Sequence, residues 1–517
     1  MFGIEGKLVS LLPEVNLGYI AIALPALCLA YCFYSIFIYP FYFSPLRKLP
    51  TPPADNNPFT GHLIQALSKE SQEQQLEWAN EYGGFVRFFY PLNFERVLIT
   101  DPKALQHILV KRAYEFVKPQ RVRTYLGMGI GNGLLVAEGD DHRHQRKLLN
   151  NALSYGNIKQ FVPIFNEVVT TLTDQWKDAL SDRHEIEMDV FIPITKATLD
   201  IIGLTGFGHR FDTLTSKKQT LLAKAYDIIL ADMPAWKRVF WYLMPKLALF
   251  DRKMMNGLKM SRIATKEIVE MGKLRMEDNK SNTRDILYMM LEHNKKVMET
   301  GEGDLWTDRE CRDQILTFLA AGHETTSTLL GWLLYTLALH TDVQEKLREE
   351  VQTIFKSNPN PSFEEIDKLT YLDCVYREIV RVHPPVTYTV RTNKVDETLP
   401  TSTGEEIFLP KGSLCVISPA VINRCVKHWG PDAGEFRPER WLDESSLPKN
   451  LNYVCLTFLA GARGCIGSRF SQMETKVFIA RLISEFRFRP VEGFRVRKQF
   501  HITCRPEPGV KLHISRA

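Results

Sequence analysis

One cysteine in this sequence has neighbours that could prepare its sulfur for chemistry. Cys465 lies in Phe458-Leu459-Ala460-Gly461-Ala462-Arg463-Gly464-Cys465-Ile466-Gly467, and a helix is predicted directly after it. Glycines let a backbone approach a flat ligand and turn its N–H groups toward the sulfur. A helix N-terminus and a nearby arginine both favour thiolate over thiol. The segment predicts a thiolate that ligates a metal or attacks an electrophile. The alternative is a glycine-rich turn around an inert buried cysteine.

A second group of polar residues interrupts a long apolar run. Ala321-Gly322-His323-Glu324-Thr325-Thr326 places an acid and two hydroxyls inside a predicted helix. The simplest explanation is a local kink, because a threonine hydroxyl can bond back to the carbonyl four residues earlier. Next to a buried reaction centre, the same residues would be candidates for proton transfer.

Capping patterns and apolar stripes predict the elements that must position these groups. Thr307 and Glu310 form a capping box that opens a helix running to about Leu339, and its second half is apolar on every side, as in a helix that crosses a core. Other predicted helices start at Thr341 with Gln344, at Ser362 with Glu365, at about Leu372 and just after Cys465. The strand-like runs are short: Phe85–Phe89, Val97–Thr100 and Leu414–Ser418. The fold class is therefore mainly α with a small β region.

The N-terminus reads as a membrane anchor. No charged side chain occurs between Glu14 and Arg47, and the apolar stretch from Leu17 to about Tyr39 can cross a bilayer core of roughly 30 Å. Bulky residues continue to its end, which favours an uncleaved transmembrane helix over a cleaved signal peptide. Arg47 and Lys48 follow the span, so the positive-inside rule places the body in the cytosol. The expected domains are an anchor at 1–44, a proline-rich hinge at 45–60 and one body at 61–517.

Composition excludes several classes of protein. Hydrophobic residues make up 44% and charged residues 24%, which is ordinary for a soluble body and unlike a disordered chain, a fibre or a polytopic membrane protein. A net charge of +5 over 517 residues is too weak to indicate nucleic-acid binding. The nine cysteines include no CxxC pair, so neither a disulfide framework nor a zinc knuckle is expected.

The full spacing F-x-x-G-x-R-x-C-x-G around Cys465 resembles the haem-binding signature of the cytochrome P450 family of haem-thiolate monooxygenases, of the eukaryotic microsomal type and of fungal character. The resemblance covers roughly residues 45 to 510. It implies the cytochrome P450 fold, haem b as the cofactor and Cys465 as the axial iron ligand. It also places Phe458, Arg463 and Gly467 among the haem-binding residues.

The same resemblance implies roles for residues elsewhere in the chain. His142 and Arg146 occupy the family's W/H-x-x-x-R positions, and with Arg391 and Arg463 they are expected to bind the haem propionates. Taken singly, each of them would be a solvated surface charge.

Two further family motifs are matched. Glu378 and Arg381 match E-x-x-R, and with Arg440 they imply a structural cluster that locks the cysteine loop. Glu324 and Thr325 match the oxygen-activation motif, which implies catalytic proton delivery to O₂, with Gly322 leaving space for it. The departures are mild: many members have glycine at the position of Leu459 and histidine at that of Asn423.

The implied reaction inserts one oxygen atom from O₂ into a lipophilic substrate, with electrons from NADPH delivered by a separate NADPH–cytochrome P450 reductase in the endoplasmic reticulum membrane. The pocket is expected to be lined from Phe116–Gly133, Ile315–Ala320, Val386–Val390 and Phe500–Thr503. Lys449, Arg469 and Lys476 are candidates for the basic docking face, and Trp236–Met244 for a second membrane contact. The alternative function is a haem-thiolate isomerase or peroxygenase that needs no reductase.

Overall fold

The computed structural model describes residues 17–54, 59–216, 218, 220–229, 241, 244–277, 284–500 and 502–517. The segment Trp236–Met244, predicted to contact the membrane, lies almost entirely outside these residues. Within the described parts the chain is mainly helical with small sheets, so the predicted fold class is confirmed.

The described α-helices begin with the N-terminal apolar helix and continue through the rest of the chain. In chain order they are α1 (Leu17–Phe33), α2 (Leu63–Ser68), α3 (Glu73–Tyr82), α4 (Pro102–Gln106), α5 (Gln120–Ile130), α6 (Gly139–Leu149), α7 (Tyr155–Leu180), α8 (Phe191–Phe207), α9 (Leu221–Ile229), α10 (Arg252–Glu277), α11 (Ile286–Thr300), α12 (Asp308–Leu339), α13 (Thr341–Phe355), α14 (Phe363–Asp367), α15 (Thr370–Val382), α16 (Pro419–Ile422), α17 (Val426–Trp429), α18 (Leu451–Val454) and α19 (Ser468–Glu485).

The strands form small, mostly antiparallel sheets. They are β1 (Phe85–Tyr90), β2 (Phe94–Ile99), β3 (Phe116–Val117), β4 (Glu185–Asp189), β5 (Thr389–Asn393), β6 (Glu397–Pro400), β7 (Glu406–Leu409), β8 (Leu414–Ile417), β9 (Phe486–Pro490), β10 (Arg497–Phe500), β11 (Cys504–Glu507) and β12 (Lys511–Arg516). A five-stranded sheet has the order β1-β2-β8-β5-β3, a three-stranded sheet has the order β4-β12-β9, and β6-β7 and β10-β11 are separate pairs. The three predicted strand runs are thus confirmed as β1, β2 and β8, with β2 starting three residues earlier than expected.

Helix α12 crosses the core, as its apolar second half predicts. Its capping box is present: the Thr307 hydroxyl accepts from the Glu310 N–H at 3.2 Å, and the Glu310 carboxylate accepts from the Thr307 N–H at 2.8 Å. Helix α8 packs against it. A Cβ on Gly322 would lie 2.7 Å from Ile202 Cδ1 of α8. The structure therefore gives Gly322 a part in close helix packing, and the space for oxygen that the resemblance implies stays a prediction.

The capping box predicted at Thr341 is wrong, whereas the one at Ser362 and Glu365 is confirmed. Thr341 is already the first helical residue of α13. The buried Gln344 amide instead donates to the carbonyls of Leu337 and Phe488, at 2.9 and 3.0 Å. Because its side chain is inside the protein, a partner from strand β9 takes the place of the local cap.

A buried ion cluster lies behind the cysteine loop. Glu378 and Arg381 of α15 are fully buried and form a forked pair, with Arg381 Nε and Nη2 at 2.9 and 2.7 Å from the two carboxylate oxygens. Arg440 Nε donates to the same carboxylate at 2.8 Å, and the Trp441 indole N–H donates to it at 2.9 Å. The buried Glu378 carboxylate thus has both arginines and an indole N–H as partners, as a buried charge requires.

The cluster is connected to the loop through Asn423. The other guanidinium nitrogens of Arg381 donate to backbone carbonyls, including that of Asn423 at 2.9 Å. The Asn423 amide donates to the Thr457 hydroxyl at 2.8 Å and accepts from the Leu456 N–H at 2.8 Å. Leu456 and Thr457 immediately precede the cysteine loop, so the ion cluster fixes where that loop begins.

The N-terminal apolar helix fits a membrane anchor. The helical segment Ile22–Phe43 spans 22 residues and has a mean hydropathy of 1.9. No residue of its most apolar part is buried in the protein. Helix α1 continues as a π-helix over Tyr34–Phe43, and Pro40 lies inside that stretch. By length and composition this segment can cross a bilayer.

The end of this helix is hydrogen-bonded to the body. The Asn93 side-chain amide, at the tip of the β1–β2 hairpin, donates to the Ile36 carbonyl at 3.0 Å. Arg87 of β1 donates to the Pro40 carbonyl. The hairpin therefore restrains the direction in which the helix leaves the body.

We expect Glu378→Gln to destabilise the body by about 3–5 kcal/mol, because it leaves two buried arginines without their counter-charge. The free energy of unfolding from denaturant titration measures this effect. Glu364→Gln is the control, since it removes one partner of the Lys159–Glu364 pair at the surface. Equal effects of the two substitutions would contradict a special role for the buried cluster.

We expect Asn93→Asp to loosen the helix from the hairpin, because the carboxylate cannot donate to the Ile36 carbonyl. The loss of one hydrogen bond corresponds to about 0.5–1.5 kcal/mol of local stability. Trypsin should then cleave faster at the exposed Arg47 and Lys48 in liposome-bound protein. The exposed Asn452→Asp should leave the cleavage rate unchanged, and unchanged cleavage of Asn93→Asp would rule out the restraint.

Candidate functional site

The cysteine loop is closed by its own backbone. The Cys465 N–H donates to the Phe458 carbonyl at 2.8 Å, and the Gly464 N–H donates to the Gly461 carbonyl at 3.0 Å. Gly461 has a φ of +69°, and a Cβ there would lie 2.1 Å from the Leu109 carbonyl oxygen. Only glycine fits this position, because both the left-handed backbone and the neighbouring chain exclude a side chain.

Leu459 occupies a position where many family members have glycine, and its backbone is strained there. Its φ is +55°, in the left-handed region where glycine is ordinarily found. The leucine side chain packs against the apolar cluster that includes Leu456 and Leu109. This contact offsets backbone strain that a glycine would not have.

We infer that Cys465 faces an interior space, because accessible surface and desolvation are combined at this residue. The residue has accessible surface, yet burial raises the pKa of its thiol, while the Gly467 N–H and Arg146 act in the opposite direction. Ala321 and Thr325 also have accessible surface, although helix α12 is otherwise largely buried. A thiol in such surroundings is deprotonated when a metal ion binds it.

The arginine that acts on the sulfur is Arg146 rather than Arg463. Arg146 Nη1 donates to the Gly464 carbonyl at 2.5 Å, next to the cysteine. Arg463 instead points away, donating to the Ala137 carbonyl at 2.7 Å and pairing with Glu138. Proximity in sequence therefore identified the wrong arginine, because the loop turns the Arg463 side chain toward α6.

Several cations lie close together near Glu138, at the N-terminal end of α6, and few negative charges compensate them. Arg391 is 3% exposed and donates only to the Thr389 hydroxyl and the Val390 carbonyl, both at 2.8 Å, and no carboxylate among the described residues pairs with it. Burial, together with the nearby Arg463, lowers the pKa of Arg391 to about 10. Burial and Arg391 lower the pKa of Lys118 to about 7. Glu138 is the carboxylate that opposes these cations.

His142 belongs to the same cluster, but as a neutral group. It is buried, its Nδ1 is 3.2 Å from the Tyr114 hydroxyl, and burial with four neighbouring cations lowers its pKa to about 3. A neutral imidazole contributes a hydrogen bond and no positive charge. The expectation that His142 supplies a cation therefore needs this correction.

These residues fit a flat, dianionic group next to a metal. Buried positive charge without partners is unfavourable, and two carboxylates would compensate it. The glycine-bounded thiol is near this cluster, because Arg146 acts on both Cys465 and His142. Haem, with its iron and two propionates, matches both requirements.

Sequence reasoning gave no individual role to two members of the site, although Lys118 lies within the range Phe116–Gly133 that is expected to line the pocket. Lys118 follows strand β3, which pairs with β5 so that Val117 faces Thr392, and this pairing brings Lys118 near Arg391. Arg505 forms a forked pair with the catalytic candidate Glu324, at 2.5 and 2.6 Å. No local motif marks either residue. The Thr325 hydroxyl donates to the Ala321 carbonyl at 2.6 Å, the bond expected of a helical threonine.

One predicted surface residue is buried. Lys476 is 1% exposed and pairs with Asp373 at 2.7 Å, so it is not part of a docking face. Its position on the inner side of α19 explains this. Lys449 and Arg469 are exposed, as expected.

Known proteins are similar along nearly the whole chain. The family model described as Cytochrome P450 matches residues 50–513. Cytochrome P450 monooxygenase sphH of Aspergillus fumigatus is 34% identical, over 95% of this chain and 92% of that protein. Cytochrome P450 monooxygenase 205 of Postia placenta is 34% identical, over 86% of each chain. Cytochrome P450 monooxygenase FUM15 of Gibberella moniliformis is 31% identical, over 90% of this chain and 87% of that protein.

The matched region contains the closed cysteine loop, the buried ion cluster behind it and the polar interruption of α12. Its relatives are fungal monooxygenases whose alignments cover 95% and 86% of this chain. The chain belongs to the cytochrome P450 family.

Proposed function

We propose that this protein is a fungal haem-thiolate monooxygenase that inserts one oxygen atom from O₂ into a lipophilic organic substrate. The observation that carries the proposal is the pairing of a glycine-bounded, desolvated Cys465 thiol with buried cations that lack counter-charge. The acid and hydroxyl of Glu324 and Thr325, on the helix that crosses the core, support an oxygen-activating role.

Cys465 would bind the iron of haem b. The propionates would take hydrogen bonds from the cations Lys118, Arg146, Arg391 and Arg463 and from the neutral imidazole of His142. Phe458 and Gly467 would pack against the ring and the sulfur. The haem, when bound, supplies the activation and transfer of oxygen. The chain's own residues hold the sulfur, exclude water and govern the arrival of protons.

Thr325 and Glu324 would carry those protons. Thr325 has accessible surface, and its hydroxyl, which now donates to the Ala321 carbonyl, would be free to rotate and hold a proton. Glu324 lies one residue earlier and is 3% exposed, so its carboxylate is the buried ionisable group nearest to Thr325 in the chain. Retention of both groups favours a reductase-dependent monooxygenase over an isomerase or peroxygenase.

The substrate class follows from the expected lining, which is largely apolar and therefore suits a lipophilic molecule of secondary metabolism, such as a terpenoid, alkaloid or polyketide intermediate. Electrons would come from NADPH through a membrane-bound reductase that docks near the exposed Lys449 and Arg469. The anchor, followed by Arg47 and Lys48, would hold the body on the cytosolic side of the endoplasmic reticulum.

We expect Cys465→Ser to abolish the red-shifted Soret band of the reduced, CO-bound protein, because a serine oxygen is a much poorer donor to the iron. The matched control is Cys28→Ser, at an exposed position of the N-terminal helix, and it should retain the band. A normal band in Cys465→Ser would refute thiolate ligation.

We expect Thr325→Ala to divert NADPH electrons from product to peroxide while the Soret band stays intact. Loss of a positioned proton donor corresponds to about a 10²-fold fall in product formation. Thr325→Ser should restore coupling because it keeps the hydroxyl, and Thr336→Ala on the same helix should have no effect. Unaltered coupling in Thr325→Ala would count against this proton route.

A further inference from the structure

The hairpin β10–β11 is attached along one face of helix α12. Glu324, Thr328 and Trp332 are four residues apart and therefore lie on the same side of the helix. The Trp332 indole N–H donates to the Cys504 carbonyl at 2.8 Å, and the hydroxyls of Thr328 and Thr503 are 3.1 Å apart. Glu324 makes the third attachment.

The carboxylate of Glu324 is saturated by donors from this hairpin. Arg505 Nε and Nη2 lie 2.5 and 2.6 Å from its two oxygens, and the Thr503 hydroxyl donates to Oε1 at 2.8 Å. Burial alone would raise the pKa of Glu324, but Arg505, His323 and Thr503 outweigh it and the pKa is lowered overall. The acid is therefore ionised at neutral pH in this arrangement.

The hydrogen bonds around Thr503 run in one direction. A hydroxyl has a single hydrogen, and Thr503 donates it to Glu324. Thr328 must then donate to Thr503. Both hydroxyls point toward the carboxylate, and the Thr325 hydroxyl points back to Ala321. A carboxylate held in this way accepts hydrogen bonds but has no proton to pass on.

The two partners of the ion pair differ in their access to water. The Arg505 side chain is 29% exposed, whereas that of Glu324 is 4% exposed. The guanidinium can exchange its partner for water by moving outward, but the carboxylate cannot. Release of the ion pair is thus an outward movement of the Arg505 side chain.

We propose that Arg505 is a positioning residue that holds Glu324 out of the proton path, and that proton delivery requires Arg505 to leave the carboxylate. The inference rests on the proposed monooxygenase function. The stretch Phe500–Thr503 is expected to line the substrate pocket, and its described residue Ile502, which precedes β11, is 42% exposed. Thr503 belongs to that stretch and also bonds Glu324. A substrate that contacts the stretch would therefore alter the hydrogen bond between Thr503 and Glu324. Proton delivery would in this way be coupled to substrate binding.

The test is an infrared pH titration of the haem-loaded, full-length protein, with the Glu324 carboxyl band assigned by its loss in Glu324→Gln. In Arg505→Gln the midpoint should rise by about 1 to 3 pH units, because a neighbouring opposite charge lowers a carboxyl pKa by that amount. Arg497→Gln, at an exposed position of the same hairpin, is the matched control and should leave the midpoint unchanged. Thr503→Val should produce a smaller rise.

A second readout is the fraction of NADPH electrons recovered in product as pH is varied. Since Glu324 is ionised across the neutral range in the native protein, that fraction should change little there. In Arg505→Gln the acid becomes protonated as pH falls through its raised pKa, so coupling should become pH-dependent. Arg505→Lys keeps the cation and should retain the native profile.

An unchanged midpoint in Arg505→Gln, or an equal shift in Arg497→Gln, would overturn the inference. If Arg505→Gln does not fold, an unshifted midpoint in Thr503→Val would overturn it as well. Failure of the proposed function is recognised separately, by an absent Soret band in the native CO complex. The infrared band reports the Glu324–Arg505 contact whether or not the protein turns over substrate.

Discussion

The position of the reactive sulfur depends on a carboxylate that has no access to water. Inside the protein, Glu378 can be ionised only if Arg381 and Arg440 stay within hydrogen-bonding distance, because desolvated charges cannot turn to solvent instead. Arg381 donates its remaining N–H groups to backbone carbonyls, including that of Asn423. The Asn423 side chain in turn accepts a hydrogen bond from Leu456, which precedes the cysteine loop. The loop is thereby fixed from behind, independently of anything bound in front of it.

On the side of the cysteine loop where the cofactor would bind, the positive charges lack negative partners. Arg391 has no carboxylate partner among the described residues, and burial with neighbouring cations lowers the pKa of both Arg391 and Lys118. A dianionic cofactor would relieve this repulsion, and its binding would stabilise the fold by mass action. Rigidity behind the sulfur and unbalanced charge in front of it are complementary. One defines the geometry of the site, and the other provides affinity for the group that completes it.

Helix α12 connects this site to the substrate side. It carries Thr325 toward the interior space and, on another face, holds the hairpin β10–β11 through Glu324, Thr328 and Trp332. The acid therefore takes part in two arrangements, as a candidate proton carrier and as a structural anion. Ionisation in the second role opposes the first. The hairpin, rather than the helix alone, decides which role applies.

The sequence by itself determined the features that depend on local spacing. These are the mainly helical fold, the capping boxes at Thr307 and Ser362, the apolar N-terminal span and the cysteine loop, because residues a few positions apart specify each of them. Tertiary structure alone decided the partners of Glu324, Lys118 and Lys476 and the packing of Gly322 against α8. Glu324 and Arg505 are 181 positions apart, and Arg146 lies 318 positions from Gly464. No local pattern encodes such contacts, because they arise only when helices and strands with separately determined faces pack together.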